Sequence, residues 1–330
     1  MKDTPGCYAS ARRSNCLMRV FTDSEIRALL DPAEVVEALE AAFVRDYRST
    51  VVMPVRTRVD LTGGALLVMP CYDSATAALG AKLVTVVENA VERVQATYIL
   101  LDPANGGLRA LMAANYLTEV RTAATSAVAT RHMARPDAGI LGVFGTGRQA
   151  RSHIEVLTKV SQFGRVLVCG SSAERSQAFA TAMAKELGLS VEAADARTCA
   201  SQSDVICTCT SSSTPVMEGK WLRPGTHLNL VGAFHPEKRE ADSETMRRAR
   251  TVVESYESAF AEAGDLLIPL SEGVIDREHV IADLHEITSG KKVGRTAPDE
   301  ITVFKNLGCA LEDLVAATLA FNNAESRVKA

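Results

Sequence analysis

The sequence predicts an α/β protein with two structural regions. Between about residues 138 and 253, apolar strands alternate with helical segments, which is the pattern of parallel βαβ units. Between 51 and 111 there are short β-branched and apolar runs, broken by Gly, Pro, Asp and Asn, which predict a strand meander or part-barrel. The chain has 330 residues. Since a single core rarely grows beyond about 250–300 residues, two domains are expected.

The elements of the first region follow from local patterns. Residues 1–17 are polar and irregular and are expected to form a mobile tail. Two helices should follow, one capped by residues 22–25 and one opening at Asp31-Pro32, because proline suits a first helical turn. Predicted strands cover residues 55–61, 65–69, 78–87, 95–101 and 107–111. A long Ala- and Thr-rich helix over about 118–133 should end before Arg135-Pro136.

The second region is predicted as a parallel sheet covered by helices. Its predicted strands cover residues 140–144, 165–169, 190–192, 205–210, 227–231 and 251–253. Helices are predicted over 147–160 and 173–187. Near the C-terminus, a compact stretch over 303–308 precedes an apolar helix over 310–321.

Composition excludes several classes of partner. The formal charge is -4, with 36 basic and 40 acidic residues interspersed, so nothing points to nucleic acid or an anionic membrane. No apolar run reaches the roughly 18 residues of a membrane span, and the N-terminus lacks an apolar signal segment, so a cytoplasmic protein is expected. The eight cysteines are scattered. The closest pair, Cys207 and Cys209, is spaced too tightly for a usual zinc site, so buried thiols are favoured and no metal is expected.

A glycine-rich turn carries the first chemical prediction. Gly145-x-Gly147-x-x-Ala150 follows a predicted strand and opens a predicted helix. In this setting the first glycine forms the tight turn, the second lets the backbone approach a pyrophosphate, and the small third residue packs helix against strand. The helix N-terminus then favours phosphate. A dinucleotide site is therefore favoured over an ordinary strand-to-helix turn. The residues expected to bind cofactor here are Gly145, Thr146, Gly147, Arg148 and Gln149.

The end of the second strand favours NADP over NAD. NAD-preferring enzymes place a carboxylate there, on the ribose 2′-hydroxyl. Here the chain offers Ser171, Ser172 and Arg175, which suit a 2′-phosphate, while Glu174 is expected in the first turn of the next helix. The alternative is that Arg175 is a solvated helix residue.

Taken in order, the motifs resemble the ornithine cyclodeaminase/mu-crystallin family. They are Pro54-x-Arg56, Gly80-Ala81-Lys82, LTEVRTAA at 117–124, GTGRQA at 145–150, Gly219-x-Trp221-x-x-Pro224-Gly225-Thr226 and Glu312-Asp313. The resemblance runs from Met18 nearly to the C-terminus. It implies a homodimer, with a Rossmann-type NAD(P)-binding domain over 126–304. That domain would be inserted into a discontinuous α+β substrate-binding and dimerisation domain, formed by 18–125 and 305–330.

The resemblance also implies roles for particular residues. Arg56, Lys82 and Arg121 are expected to contact the substrate carboxylate and its reacting nitrogen, because guanidinium groups fit a carboxylate and an ammonium can supply charge or a proton. Alone, each would more often be a surface cation, although Lys82 lies in an apolar run. Further expected cofactor neighbours are Thr97, Arg121, Thr122, Thr210, Gly232, Phe234, Lys238 and Asn306.

One departure from the family pattern shapes the predicted reaction. Cyclodeaminases and the related alanine dehydrogenases have an aspartate where this chain has Phe234. Reduction of a preformed imine needs that carboxylate less, so we expect an NAD(P)H-dependent reductase of cyclic imino acids, with Δ1-pyrroline-2-carboxylate preferred. His235 is a candidate acid, or a histidine bonded to backbone. The alternatives are a cyclodeaminase or amino-acid dehydrogenase, and a non-enzymatic NADP-binding protein like the crystallins.

Overall fold

The computed structural model describes residues 18–87 and 89–329, and these residues form two β-sheets. The predicted tail over 1–17 lies outside the described residues. None of the described helices combines the length and the apolar character needed to cross a membrane.

The first sheet is the predicted meander. Its strands are β1 (Arg19–Phe21), β2 (Val51–Val52), β3 (Thr57–Leu61), β4 (Gly64–Asp73), β5 (Ala78–Val87), β6 (Val94–Leu101) and β7 (Leu108–Ala113). Strands β4 to β7 pair antiparallel in sequence order, β2 and β3 both pair with β4, and β1 joins β7 in parallel. Buried and half-buried residues alternate along β4 to β7, so one face of the sheet packs on helices and the other is more open.

Helices cover the buried face of that sheet. Those that pack against its strands are α1 (Asp23–Leu29), α4 (Asn115–Met133) and α12 (Ala310–Lys329), while α2 (Pro32–Val44) packs on α4 and α12, and a short α3 (Tyr47–Thr50) precedes β2. The predicted caps are present: Thr22 and Glu25 form a capping box on α1, and Asp31 caps α2 with Pro32 in its first turn.

The second sheet is parallel throughout, which confirms the Rossmann-type fold. Its order is β10-β9-β8-β11-β12-β15-β13-β14. The strands are β8 (Ile140–Phe144), β9 (Arg165–Cys169), β10 (Val191–Ala193), β11 (Val205–Thr208), β12 (His227–Leu230), β13 (Ala249–Val253), β14 (Val280–Asp283) and β15 (Ile301–Lys305). The strand order reverses between β8 and β11, and in such sheets ligands bind at this switch point, beyond the carboxyl ends of the strands.

Helices connect these strands and cover the sheet. They are α5 (Arg148–Val160), α6 (Ala173–Leu187), α7 (Ala196–Gln202), α8 (Ser243–Arg248), α9 (Tyr256–Glu262), α10 (Gly264–Ser271) and α11 (Leu284–Thr288). The long α4 runs without a break past position 125 and contacts elements of both regions, among them α2, β6, α5 and β12. The proposed boundary at 125/126 therefore falls inside one continuous helix, and the domain limits stay a prediction.

One segment differs from its sequence-based description. The stretch over 303–308 begins inside strand β15, which lies between β12 and β13. All five residues of β15 are buried, including Lys305, whose Nζ lies 3.0 Å from Asp265 Oδ2 and donates to Leu230 O. A strand buried on both faces shows no alternation, and a lysine inside it hides its strand character further.

Candidate active site

A cavity of about 940 Å³ opens at the switch point of the parallel sheet. It is lined on one side by the ends of β8, β9 and β11 and on the other by β6 and the start of α4. The lining from the parallel-sheet side includes Gly145, Thr146, Gly147, Arg148, Gln149, Cys169, Gly170, Ser171, Arg175 and Thr210. The lining from the first region includes Arg93, Val94, Ala96, Asn115, Thr118 and Glu119. The sequence-predicted turn and cofactor-discriminating strand end thus meet in one cavity.

The glycine turn has the backbone that a pyrophosphate site requires. Gly145 has φ +115°, and a Cβ there would lie 2.5 Å from Cys209 O, so only glycine fits without strain. A Cβ on Gly147 would have no neighbour within 4 Å, which leaves open space for a ligand. Gly147 is the N-cap of α5 and provides no side-chain cap, so the first N–H groups of α5 remain available for phosphate. These observations fit a dinucleotide.

Arg148 connects the glycine turn to the first region. Its Nη2 donates to Val94 O at 2.8 Å, and its Nε lies 3.2 Å from Glu119 Oε1. Burial raises the pKa of Glu119, and Arg148 only partly offsets this. Sequence reasoning did not single out Glu119, which faces the cavity from α4.

The far end of the cavity carries the residues expected to discriminate between cofactors. Arg175 Nη1 lies 3.4 Å from Ser171 Oγ, and both residues line the cavity. Ser172 does not line it, because its Oγ accepts from Arg175 N and caps α6. Glu174 lies in the first turn of α6, as expected.

Two buried cations share one carboxylate oxygen. Lys82, on the inner face of β5, is 1% exposed, and its Nζ donates to Asp313 Oδ1 at 2.8 Å. Arg121, on α4, is 4% exposed and donates from Nε to the same oxygen at 2.8 Å. Its Nη1 also donates to Glu312 Oε2 at 2.6 Å. The first turn of α12 therefore supplies the acids that hold both predicted substrate-binding cations.

Burial shifts the pKa values of this cluster. It lowers the pKa of Lys82 to about 8, with Arg121 adding to that effect and Asp313 opposing it. Burial also raises the pKa of Glu312 well above its usual range, as does the nearby Glu254, while Arg121 acts in the opposite direction. Lys82 is thus a cation at neutral pH that can release its proton readily.

Arg56 reaches the same region from the segment before β3. Its Nη2 donates to Leu307 O at 3.0 Å and to Gly308 O at 3.1 Å, and its Nε lies 3.0 Å from Glu262 Oε2. Gly308 also packs on Arg121, since a Cβ there would lie 2.1 Å from Arg121 Nη1. The structure therefore brings Arg56, Lys82 and Arg121 together around residues 307–313.

Comparison with known proteins agrees with this arrangement. The family model for the ornithine cyclodeaminase/mu-crystallin family matches residues 16–328. This chain belongs to that family. Rat ketimine reductase mu-crystallin is 39% identical over 294 residues, covering 87% of this chain and 90% of the relative. A Δ1-pyrroline-2-carboxylate reductase from Bacillus cereus is 36% identical over 94% of this chain and 98% of the relative.

A solved structure shares the whole fold. Thermococcus litoralis Δ1-pyrroline-2-carboxylate reductase, in complex with NADH and L-proline, superposes with a TM-score of 0.91 at 37% identity, covering 94% of this chain and 98% of that one. The family resemblance stated from the motifs is confirmed.

Several cofactor neighbours expected for this family do not line the cavity. They are Thr97, Thr122, Ser172, Gly232, Phe234, Lys238 and Asn306. Thr97 follows Ala96, which does line it, so the Thr97 side chain points to the opposite face of the first sheet. Asn306 is buried deeper, where its Nδ2 donates to Thr122 O at 3.0 Å and to Ser126 Oγ at 3.1 Å. Their cofactor contacts stay predictions.

Glu240 organises the strand ends that face the cavity. It is fully buried, and its carboxylate accepts from Thr208 Oγ1, from the N and Oγ1 of Thr210, and from Gly232 N, at 2.6 to 2.7 Å. Thr210 and Gly232 are therefore fixed by a carboxylate that sequence reasoning missed. Its position, eight residues beyond Gly232 in a polar loop, carried no recognisable pattern.

The Phe234–His235 pair lies near Arg56, which is among the charges that act on His235. The ring centroids are 5.0 Å apart at 32°, and Phe234 packs on the core of the parallel-sheet region. Burial lowers the pKa of His235, and Lys238 adds to this, so the ring is mostly neutral at pH 7. The role of His235 as an acid stays a prediction.

Proposed function

We propose that this chain is an NAD(P)H-dependent reductase of small cyclic imino acids. The preferred substrate is Δ1-pyrroline-2-carboxylate, reduced to L-proline, with the six-membered Δ1-piperideine-2-carboxylate as a second substrate. The main support for this proposal is the likeness, along nearly the whole chain, to a reductase whose structure was solved with NADH and L-proline. The buried cluster of Arg56, Lys82 and Arg121 gives that likeness a chemical basis. The reaction places the chain in proline metabolism.

The arginines of the cluster hold the substrate carboxylate in this proposal. The pairs with Asp313 and Glu312 engage Nε and Nη1 of Arg121, which leaves Nη2 for a ligand. Arg56 is the second guanidinium, on the other side of Gly308. Two planar guanidinium groups around one carboxylate give an oriented and strongly bound substrate.

Lys82 supplies the proton in this proposal. One of its three N–H groups is used by Asp313, and the others are free to face the imine nitrogen. Its pKa of about 8 suits a general acid at neutral pH. When bound, the reduced nicotinamide supplies a hydride to C2 of the imine. The proton from Lys82 completes the amine, so the C=N bond becomes CH–NH.

Phe234 supports reduction over deamination. A deaminating enzyme needs an acceptor for the proton of the substrate amine, and an aromatic ring cannot accept it. The neighbouring His235 is mostly neutral at pH 7, because burial and Lys238 lower its pKa. Hydride addition to a preformed imine needs only the cations described above.

We propose NADPH as the preferred cofactor. Ser171 and Arg175 face the cavity where a 2′-phosphate would lie. Among the described residues that line the cavity, Glu119 is the one acidic residue, and it faces Arg148 rather than the end that holds Ser171 and Arg175. None of these lining residues therefore places an acid where it would repel a 2′-phosphate or select the free ribose hydroxyl.

We also propose a cytoplasmic homodimer. The open face of the first sheet carries half-buried apolar side chains, including Leu83, Ile99 and Leu111, and at its margin Val20 is 60% exposed. An apolar sheet face of this kind favours association with a second copy. Four of the described cysteines, Cys71, Cys199, Cys207 and Cys309, are buried thiols, which suits a reducing compartment.

A substrate panel tests the function. The purified protein is given NADPH or NADH with Δ1-pyrroline-2-carboxylate and Δ1-piperideine-2-carboxylate, and oxidised cofactor with ornithine or alanine. We expect NADPH oxidation with the cyclic imines, lost in Lys82→Met and retained in Lys159→Met, whose lysine pairs with Asp31 on the surface. Proline formation from ornithine, with no cofactor oxidation by either imine, would overturn the proposal.

A further inference from the structure

The charges around Lys82 and Arg121 do not balance if every group is ionised. Two cations, Lys82 and Arg121, face three buried carboxyl groups, Glu254, Glu312 and Asp313, each at most 1% exposed. Arg56 does not change this count, because it is paired with Glu262. An unbalanced charge in a water-free site is strongly unfavourable. One carboxyl group must therefore carry a proton, or a ligand must supply a cation.

The geometry identifies the two carboxyl groups concerned. Asp313 receives both cations and is the best compensated of the three. Carboxylate oxygens of Glu254 and Glu312 lie within 4.8 Å of each other and of Cys309 Sγ. Two carboxylates this close in a buried site cannot both ionise freely. A metal ion is disfavoured there, because the Arg121 guanidinium already lies 2.6 Å from Glu312.

Glu254 holds the chain where it returns from the parallel sheet to α12. Its Oε2 accepts from Leu307 N at 3.0 Å and from Gly308 N at 2.6 Å. Its Oε1 is buried and has no hydrogen-bond partner among the described residues. A proton bound at Oε1 leaves these two backbone bonds undisturbed.

We infer that Glu254 and Glu312 share one proton and act as a positioning pair that keeps the substrate site neutral. Loss of this proton places a second negative charge beside Arg121, where the substrate carboxylate binds in the proposed function. The pair must therefore stay protonated for the imino acid to bind, and binding weakens as the pair ionises.

The other ionisable groups around the pair come from several elements. They are Arg121 on α4, Lys82 on β5, Arg56 before β3, Tyr47 on α3, Glu262 on α9, Cys309 and Asp313. Burial raises the pKa of both Tyr47 and Cys309, so these two stay neutral until strongly alkaline pH.

Infrared spectroscopy of the ligand-free protein tests the shared proton directly. We expect a carbonyl-stretch band of a buried carboxylic acid at neutral pH that is lost in both Glu312→Gln and Glu254→Gln. Each variant leaves two cations facing two carboxylates, so each should fold. Glu325→Gln, which changes a surface residue of α12 paired with Arg19, is the matched control and should keep the band. A spectrum unchanged by both Glu254→Gln and Glu312→Gln would overturn the inference.

Kinetics test the effect of the pair on substrate binding, and this readout rests on the proposed function. We expect KM for the imino acid to rise with alkaline pH more steeply in the wild type than in Glu312→Gln. The difference between the two slopes should approach about tenfold per pH unit, as expected for the loss of one proton. Parallel KM profiles would overturn the role in binding. If neither imine is reduced, the proposed function fails, and the infrared result alone decides whether the proton is shared.

Discussion

The pH dependence of the proposed reduction should report on Lys82. Its ammonium has a pKa of about 8 in the ligand-free protein, lowered chiefly by burial. The protonated fraction is then about 0.9 at pH 7 and about 0.1 at pH 9, and each pKa unit corresponds to a tenfold change in that ratio. Because the proposed general acid is the protonated form, the Lys82 step should lower kcat by roughly tenfold between these pH values.

Two substitutions separate Lys82 from other titrating groups. Lys82→Arg keeps a cation near Asp313 that stays charged at pH 9, so the step centred near pH 8 should disappear even if the overall rate is lower. Lys82→Met removes the proton donor and should lower kcat by about 10²- to 10⁴-fold. Cofactor affinity, measured by fluorescence, should change little, whereas Tm, measured by calorimetry, should fall because Asp313 loses one of its two buried cations. A step in kcat near pH 8 that persists in Lys82→Arg, or a kcat within about threefold of wild type in Lys82→Met, would refute the assignment.

Three further predictions concern the cofactor and the dimer. Gly145→Ala should lower the free energy of unfolding by about 1–3 kcal/mol, because of the positive φ and the close Cys209 carbonyl. Gly147→Ala should instead leave Tm unchanged and raise KM for the cofactor. Equal losses of Tm in the two variants, measured by calorimetry, would contradict this. Arg175→Ala should raise KM for NADPH about tenfold and leave KM for NADH nearly unchanged in steady-state assays. An equal rise in both KM values would disprove the 2′-phosphate contact. Ile99→Arg should halve the mass measured by light scattering, and an unchanged mass would exclude this sheet face as the interface.

Local patterns in the sequence were sufficient where one physical cause dominates. The bounds of β5, β8, β9 and α6 agree with prediction, because each is a short apolar run or a periodic helix with clear turn or capping residues at its ends. The same holds for the glycine turn, since Gly145 needs a positive φ that few other residues adopt.

Charged groups inside the fold were only half predictable. Lys82 and Arg121 were identified as candidates, but their partners Glu312 and Asp313 lie about 190 to 230 positions away in the chain. Their pairing depends on tertiary packing, which local periodicity in the sequence does not predict. Strand β15 was missed for the same reason, because the charge of Lys305 is offset by Asp265, which lies on α10.

The proposed substrate site lies where the chain leaves the parallel sheet and enters α12. The sequence offered Glu312-Asp313 as a family motif, but their contacts with Lys82 and Arg121 could not be derived from it. Residues 306–313 place Asn306 near α4, turn at Gly308, and bring in Glu312 and Asp313. Gly308 has φ +77° and leaves no room for a Cβ beside Arg121, so this turn fixes the guanidinium as well as the acids. The cations come from the first region and their counter-charges from the returning segment. The charge state of the site therefore depends on contacts between groups from the first region and from the returning segment, and no single motif specifies those contacts.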